Sequence, residues 1–194
     1  SGSGTVSVLT GDGLGGFVVT GTVSVGNSPS GLAISDFNSD GKQDFIAANS
    51  LSNDVSICRG DGLGGFLVTT TLAMASNVSN ISIGDFNGDG NSDFLTSGAA
   101  AGVSIRYGDG LGNFSGTGYL IVNSGFETIA VGDLNEDAKH DFVVVRLMSS
   151  SIYVRFGGEA EAEIQGNGQS VGDGDLSPTT LDFTDFGNIA TCTG

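Results

Sequence analysis

The residues with the clearest chemical content are acidic, and they come in sets. Asp36, Asn38, Asp40 and Asp44 lie in DFNSDGKQDF (36–45), and Asp85, Asn87, Asp89 and Asp93 lie in DFNGDGNSDF (85–94). Asp133, Asn135, Asp137 and Asp141 follow in DLNEDAKHDF (133–142). The shared pattern is D-x-N-x-D-G-x-x-D, with side-chain oxygens at positions 1, 3, 5 and 9. In a short turn these four can converge on one point. The main-chain carbonyl of position 7, supplied by Lys42, Asn91 or Lys139, is a fifth donor. Hard oxygen ligands in a flexible loop suit Ca2+ better than Mg2+, which demands stricter octahedral geometry and keeps its waters. Zinc is disfavoured, because no Cys/His cluster is at hand. Gly41 and Gly90 at position 6 let the chain turn sharply beneath an ion. Ala138 takes that place in the third loop, and a non-glycine residue at positive φ is disfavoured, so a weaker or empty third site is expected. The plain alternative is a set of solvated Asp/Gly turns; three recurrences of a nine-residue donor pattern argue against it. An ion held this way would be structural, since it relieves the repulsion among gathered carboxylates and couples binding to folding. Catalysis is not expected. The sole histidine, His140, sits at the variable position 8 and is expected to face solvent, and no Ser/His/Asp arrangement is legible.

The acidic segments recur after 49 and then 48 residues, and a second marker keeps the same step. It reads GDGLGGF at 11–17 and 60–66 and GDGLGNF at 108–114, with a degraded copy, RFGG, at 155–158. A fixed period of this size signals a structural repeat. Within the second unit, ISIGDF (81–86), DFLTSG, VSIRYG (103–108) and the stretch after Phe114 read as four short strands separated by Gly/Asn/Asp turns, the all-β signature. Four strands per unit match a β-propeller blade. Phe17, Phe66 and Phe114 close the hairpin marker, and Phe45, Phe94 and Phe142 follow the acidic loop; all six are expected to be core between blades.

An acidic D-x-N-x-D-G-x-x-D loop, a strand and a GDGLGGF hairpin in this order resemble the FG-GAP/VCBS repeat family, the blades also found in integrin α-subunit propellers. The resemblance spans about residues 5–158. It implies calcium-binding blades in secreted or cell-surface proteins and implies no reaction. The expected divisions are a terminal hairpin at 5–18 and blades at about 19–66, 67–114 and 115–158. After the charged break EAEAE (159–163), the tail carries IQGNG, DGD-x-x-P and TDFG. These elements resemble the start of the choice-of-anchor D type of immunoglobulin-like domain, found in bacterial surface proteins. The fold class is thus all-β: a partial propeller of four-stranded antiparallel blades with calcium loops, plus a C-terminal fragment of an Ig-like β-sandwich. Both units look incomplete, since closed propellers use 4–8 blades and such sandwiches take about 100 residues. The expectation is that the protein continues beyond both ends, or that other copies supply the missing surfaces.

Composition narrows the rest. The 194 residues carry 22 Asp+Glu against 6 Lys+Arg, a net charge of −16, which excludes a nucleic-acid partner. Hydrophobic residues at 38% exclude a solvated acidic tail. The 34 glycines have no three-residue period, so collagen is excluded. No apolar run approaches the ~18 residues of a membrane helix. Cys58 and Cys192 could bridge or remain separate thiols. Arg59-Gly60-Asp61 spells an integrin-binding tripeptide, but its Gly-Asp belongs to the recurring hairpin. Asn77, Asn80 and Asn113 begin glycosylation-type triplets. The functional expectation is a calcium-stabilised extracellular module, adhesive or structural, with a protein or glycan ligand. One alternative is a filament or ring protomer that self-associates through open β edges by strand complementation. The other is a non-catalytic module of a secreted hydrolase or lyase.

Overall fold

The computed structural model describes residues 4–74, 77–98, 102–116, 119–121, 126–146 and 151–157, together with the short strands at 162–163 and 172–173. Among the described residues every regular element is a strand. β1 (Gly4–Gly11) and β2 (Phe17–Val25) form a two-stranded hairpin. β3 (Pro29–Ser35), β4 (Asp44–Asn49), β5 (Asp54–Gly60) and β6 (Phe66–Ala73) form a four-stranded sheet in chain order. β7 (Asn80–Gly84), β8 (Asp93–Gly98), β9 (Gly102–Gly108) and β10 (Phe114–Ser115) repeat it, with β11 (Tyr119–Ile121) also on β9. β12 (Phe126–Gly132), β13 (Asp141–Arg146) and β14 (Ser151–Arg155) make a three-stranded sheet, and β15 (Ala162–Glu163) pairs with β16 (Gly172–Asp173). All pairings are antiparallel, as short turns between consecutive strands allow. The described sheets form no closed barrel.

Each acidic loop joins the first two strands of a sheet; the Gly-rich hairpins at 60–66 and 108–114 join the third and fourth, and the one at 11–17 joins β1 to β2. The divisions at 19–66, 67–114 and 115–158 cut at the hairpin. The sheets instead keep the strand after each hairpin with the sheet before it, because β6 pairs with β5 and β2 with β1. The IQGNG and TDFG elements and Cys192 lie outside the described residues.

The sheets stack face to face, and period-two alternation explains why both faces are apolar. On β4, Phe45 and Ala47 turn to the β1–β2 hairpin and pack with Val23 and Cys58, with Val6 and Val8 against them. Ile46 and Ala48 on the opposite face join Val55, Ile57, Val78 and Phe94 between the first and second sheets. Leu95, Val103 and Ile105 then meet Phe142, Val144 and Tyr153 between the second and third. Edge-to-face aromatic pairs cross between units at Phe37–Phe114 (5.5 Å) and Phe86–Phe142 (6.0 Å), and Phe45–Phe66 (5.0 Å) and Phe94–Phe114 (4.8 Å) pair within a sheet. Five of the six expected core phenylalanines are buried or half-buried. Phe17 departs from the expectation and is 70% exposed, because among the described residues no sheet packs on its side of the first hairpin.

Candidate metal centre

The acidic loops connect β3 to β4, β7 to β8 and β12 to β13, and each is held by its own side chains. In the second loop Asp85 accepts hydrogen bonds from the amides of Gly88 (2.7 Å), Asp89 (3.1 Å) and Gly90 (2.8 Å). Asn87 Oδ1 accepts from the same Asp89 amide at 3.0 Å, and Asp89 Oδ1 accepts from Asn91 at 2.8 Å. Loop one repeats this: the Asp40 amide is shared by Asp36 (3.2 Å) and Asn38 (3.1 Å), and Asp40 accepts from Lys42 at 2.9 Å. Loop three does so with Asp133, Asn135, Asp137 and Lys139. The side chains at positions 1 and 3 therefore lean over one turn, sharing the amide of position 5.

Position 9 behaves differently. Asp44, Asp93 and Asp141 are fully buried. Asp93 accepts from the Phe86 amide and from the Gly108 amide, both at 2.8 Å. Asp44 does the same with Phe37 and Gly60, and Asp141 with Leu134 and Gly157. Each of these carboxylates ties its own loop to the leading glycine of the next hairpin marker. A Cβ on Gly60, Gly108 or Gly157 would collide with the position 8 carbonyl of Gln43, Ser92 or His140. The two sequence markers thus recur in step because they touch. Sequence reading missed this strut; the retained glycine of the degraded RFGG copy was its signal.

Main-chain conformation accounts for position 6. Gly41, Gly90 and Ala138 have φ of 81°, 83° and 67°, so Ala138 carries the left-handed strain expected of it. Position 4 is left-handed as well, at Ser39, Gly88 and Glu136, which the pattern did not reveal.

Electrostatics separates the loop carboxylates. The Asn91 amide and the Asn87 side chain hold Asp89 below the usual carboxylate range. Burial pushes Asp93 up, with the negative charges of Asp89 and Asp85 adding to it. Lys42 and Lys139 lie 3.9 and 3.5 Å from Asp40 and Asp137, partly exposed contacts of small energetic weight. Among the described residues, no group of three or more His, Cys, Asp or Glu side chains is gathered as an ion cage. Main-chain amides, with the Asn38 and Asn87 side-chain amides on Asp40 and Asp89, take carboxylate oxygens instead. The donor set still fits a hard cation, with several anionic or amide oxygens over one turn. In each loop the residues that would hold it are those of positions 1, 3, 5, 7 and 9.

His140 is exposed, as expected, but it also links two loops. Its Nδ1 accepts from the Asp85 amide at 3.0 Å, and its own amide donates to the Asp85 carbonyl at 3.2 Å. The Gly-rich hairpins are capped by Asp12, Asp61 and Asp109. Asp61 Oδ1 accepts from Leu63 at 2.7 Å and Gly65 at 2.9 Å, a role the sequence reading left unassigned. Arg59 donates to the Leu111 carbonyl at 2.6 Å, in the hairpin of the next sheet. Arg59 and Asp61 thus both make hairpin contacts, in keeping with a Gly-Asp that belongs to the recurring hairpin. A groove of about 330 Å³ between the first two hairpins, lined by Thr10, Thr22, Leu63 and Phe66 among others, has no ionisable side chain in its lining.

Comparison with known proteins agrees with this architecture. No curated protein matches the sequence. A solved structure described as "Crystal structure of BBS1N in complex with ARL6DN, soaked with lead" superposes with a TM-score of 0.50 at 12% identity. The match covers 73% of this chain and 44% of that one, so the chain spans less than half the length of the protein it resembles. At that identity the likeness concerns fold alone. Among the described residues no helix is long and apolar enough to cross a membrane. The FG-GAP-like repeat profile matches residues 36–96 and 85–144, more than half of the chain and all three acidic loops. With the loop-to-hairpin coupling repeated in each sheet, this chain belongs to the FG-GAP-like repeat family.

Proposed function

We propose that the chain is a calcium-stabilised extracellular repeat module of a bacterial surface or secreted protein, adhesive or structural in role and without a reaction of its own. One observation carries the reading: the same donor set leans over the same turn in three loops. A cation there would offset the repulsion that helps push Asp93 up, and it would bridge side chains that amides and, in two loops, a lysine now hold. The FG-GAP-like repeat is commonly an extracellular binding module, and the acidic surface suits a protein or glycan ligand better than a polyanion.

Thermal unfolding followed against calcium concentration tests the proposal. Free calcium at 100 times its dissociation constant adds about 2.7 kcal/mol per site, so the midpoint rises with calcium and falls on chelation, with a smaller response to magnesium. An unchanged midpoint after chelation overturns it.

A further inference from the structure

The three acidic loops share their donors but not their charge. Position 7 is Lys42 in the first loop, Asn91 in the second and Lys139 in the third. In the first loop the Lys42 ammonium lies 3.9 Å from Asp40 Oδ2, the position 5 carboxylate. In the third, the Lys139 ammonium lies 3.5 Å from Asp137 Oδ2. That Asp137 oxygen is buried and receives no hydrogen bond, so the ammonium is the charge set beside it. In the second loop the matching oxygen of Asp89 accepts from the Asn87 side-chain amide at 3.0 Å, and position 7 carries no charge.

Contacts beyond the loop hold Lys42 in place. A Cβ on Gly62 would lie 3.3 Å from both Cγ and Cδ of Lys42, so its stem rests on the hairpin that follows. After the Leu63 and Gly65 amides, the Lys42 charge also helps hold Asp61 below the usual carboxylate range. The ammonium thus stands among the carboxylates of Asp40 and Asp61.

We propose that position 7 sets the order in which the loops take calcium, with Lys42 and Lys139 acting as built-in counter-ions and the second loop binding most tightly. The inference rests on the calcium reading of these loops. As ion pairs the lysine contacts weigh little, but a dication meets each ammonium with twice the repulsion of a single charge. The ammonium also neutralises part of the carboxylate repulsion that calcium would otherwise relieve. Both effects lower affinity in the first and third loops. In the second loop the charges of Asp89 and Asp85 still bear on buried Asp93, after its burial. The first and second loops give the cleanest comparison, because both have glycine at position 6, with φ of 81° and 83°. They also differ at position 4, Ser39 against Gly88, so the test changes position 7 alone.

Calcium titration of the full chain, read from the main-chain amide resonances of Gly41, Gly90 and Ala138, reports the three loops separately. The Gly90 resonance should respond at the lowest calcium concentration. Lys42→Asn should tighten the first loop at least about threefold and leave the second where it was. Lys42→Arg keeps the charge and should keep the weaker binding, which a role in packing alone would not explain. Asn91→Lys should loosen the second loop by a similar factor. Added salt should narrow the gap between the first two loops by screening the ammonium. A first loop that binds as tightly as the second, or that ignores Lys42→Asn, overturns the inference and leaves calcium binding intact. If no loop resonance responds to calcium, the calcium reading itself falls and this inference with it.

Discussion

Asp89 and Asp93 share a loop, yet burial separates their tasks. Asp89 is exposed and accepts from its own turn, whereas Asp93 is fully buried and joins Phe86 to Gly108. Asp93→Asn keeps the shape but leaves one acceptor oxygen for two amides, so one buried amide loses its partner, at about 1–3 kcal/mol. Asp89→Asn removes an exposed charge and should leave the metal-free stability nearly unchanged while weakening the response to calcium. Urea unfolding of both variants, with and without chelator, reads the difference. Equal losses without metal would contradict the division of labour. Cys58 gives a second check at this scale. Burial, with the charge of Asp44 adding, pushes its thiol up to about 12. It should resist alkylation at pH 8 until the protein unfolds, as followed by mass mapping of its own peptide, which keeps Cys192 out of the measurement.

At the scale of the element, the loop and the hairpin each have one testable feature. Ala138 sits at φ 67° where the other loops use glycine. Ala138→Gly should therefore raise stability by about 1 kcal/mol and bring the third loop's calcium response closer to the first two. The hairpin aspartates respond to pH. The amides of Leu14 and Gly16 hold Asp12 below the usual carboxylate range, as those of Leu63 and Gly65 hold Asp61. The Asn113 side chain, followed by the Leu111 amide, does this for Asp109. A folded-state pKa below the unfolded value, about 3.9, contributes stability that is complete above that value and lost as pH falls through the folded one. Asp93 works the other way: its raised carboxyl favours the folded state at low pH and loses that contribution as pH rises through its folded value. Replacing Asp12, Asp61 and Asp109 by Asn should flatten the acid limb of unfolding below about pH 4. An unchanged limb would mean that the hairpin caps do not matter there. The acidic turns were legible in the sequence because Asp, Asn and Gly at fixed spacing set the amide contacts that each loop makes. The buried strut was not, because it joins residues 15–16 apart through main-chain amides that no side-chain pattern records.

For the whole molecule, the 48–49 residue period revealed the stacking of sheets before any contact was seen, since each sheet buries both faces only between neighbours. The same period misled at Phe17. A repeat predicts core wherever its marker recurs, but among the described residues the first hairpin has one face with nothing packed on it. The charge of −16 also reads differently at this scale. Nine of the 22 acidic residues lie at positions 1, 5 and 9 of the three loops, and the three at position 9 are also built into the interior as struts. Calcium binding by these loops is the central claim, and equilibrium dialysis of the purified chain against calcium measures it directly. The account predicts one ion per acidic loop, the third held more weakly, and loss of the second on Asp89→Asn. A chain that binds no calcium at millimolar concentration, while remaining folded, would contradict it.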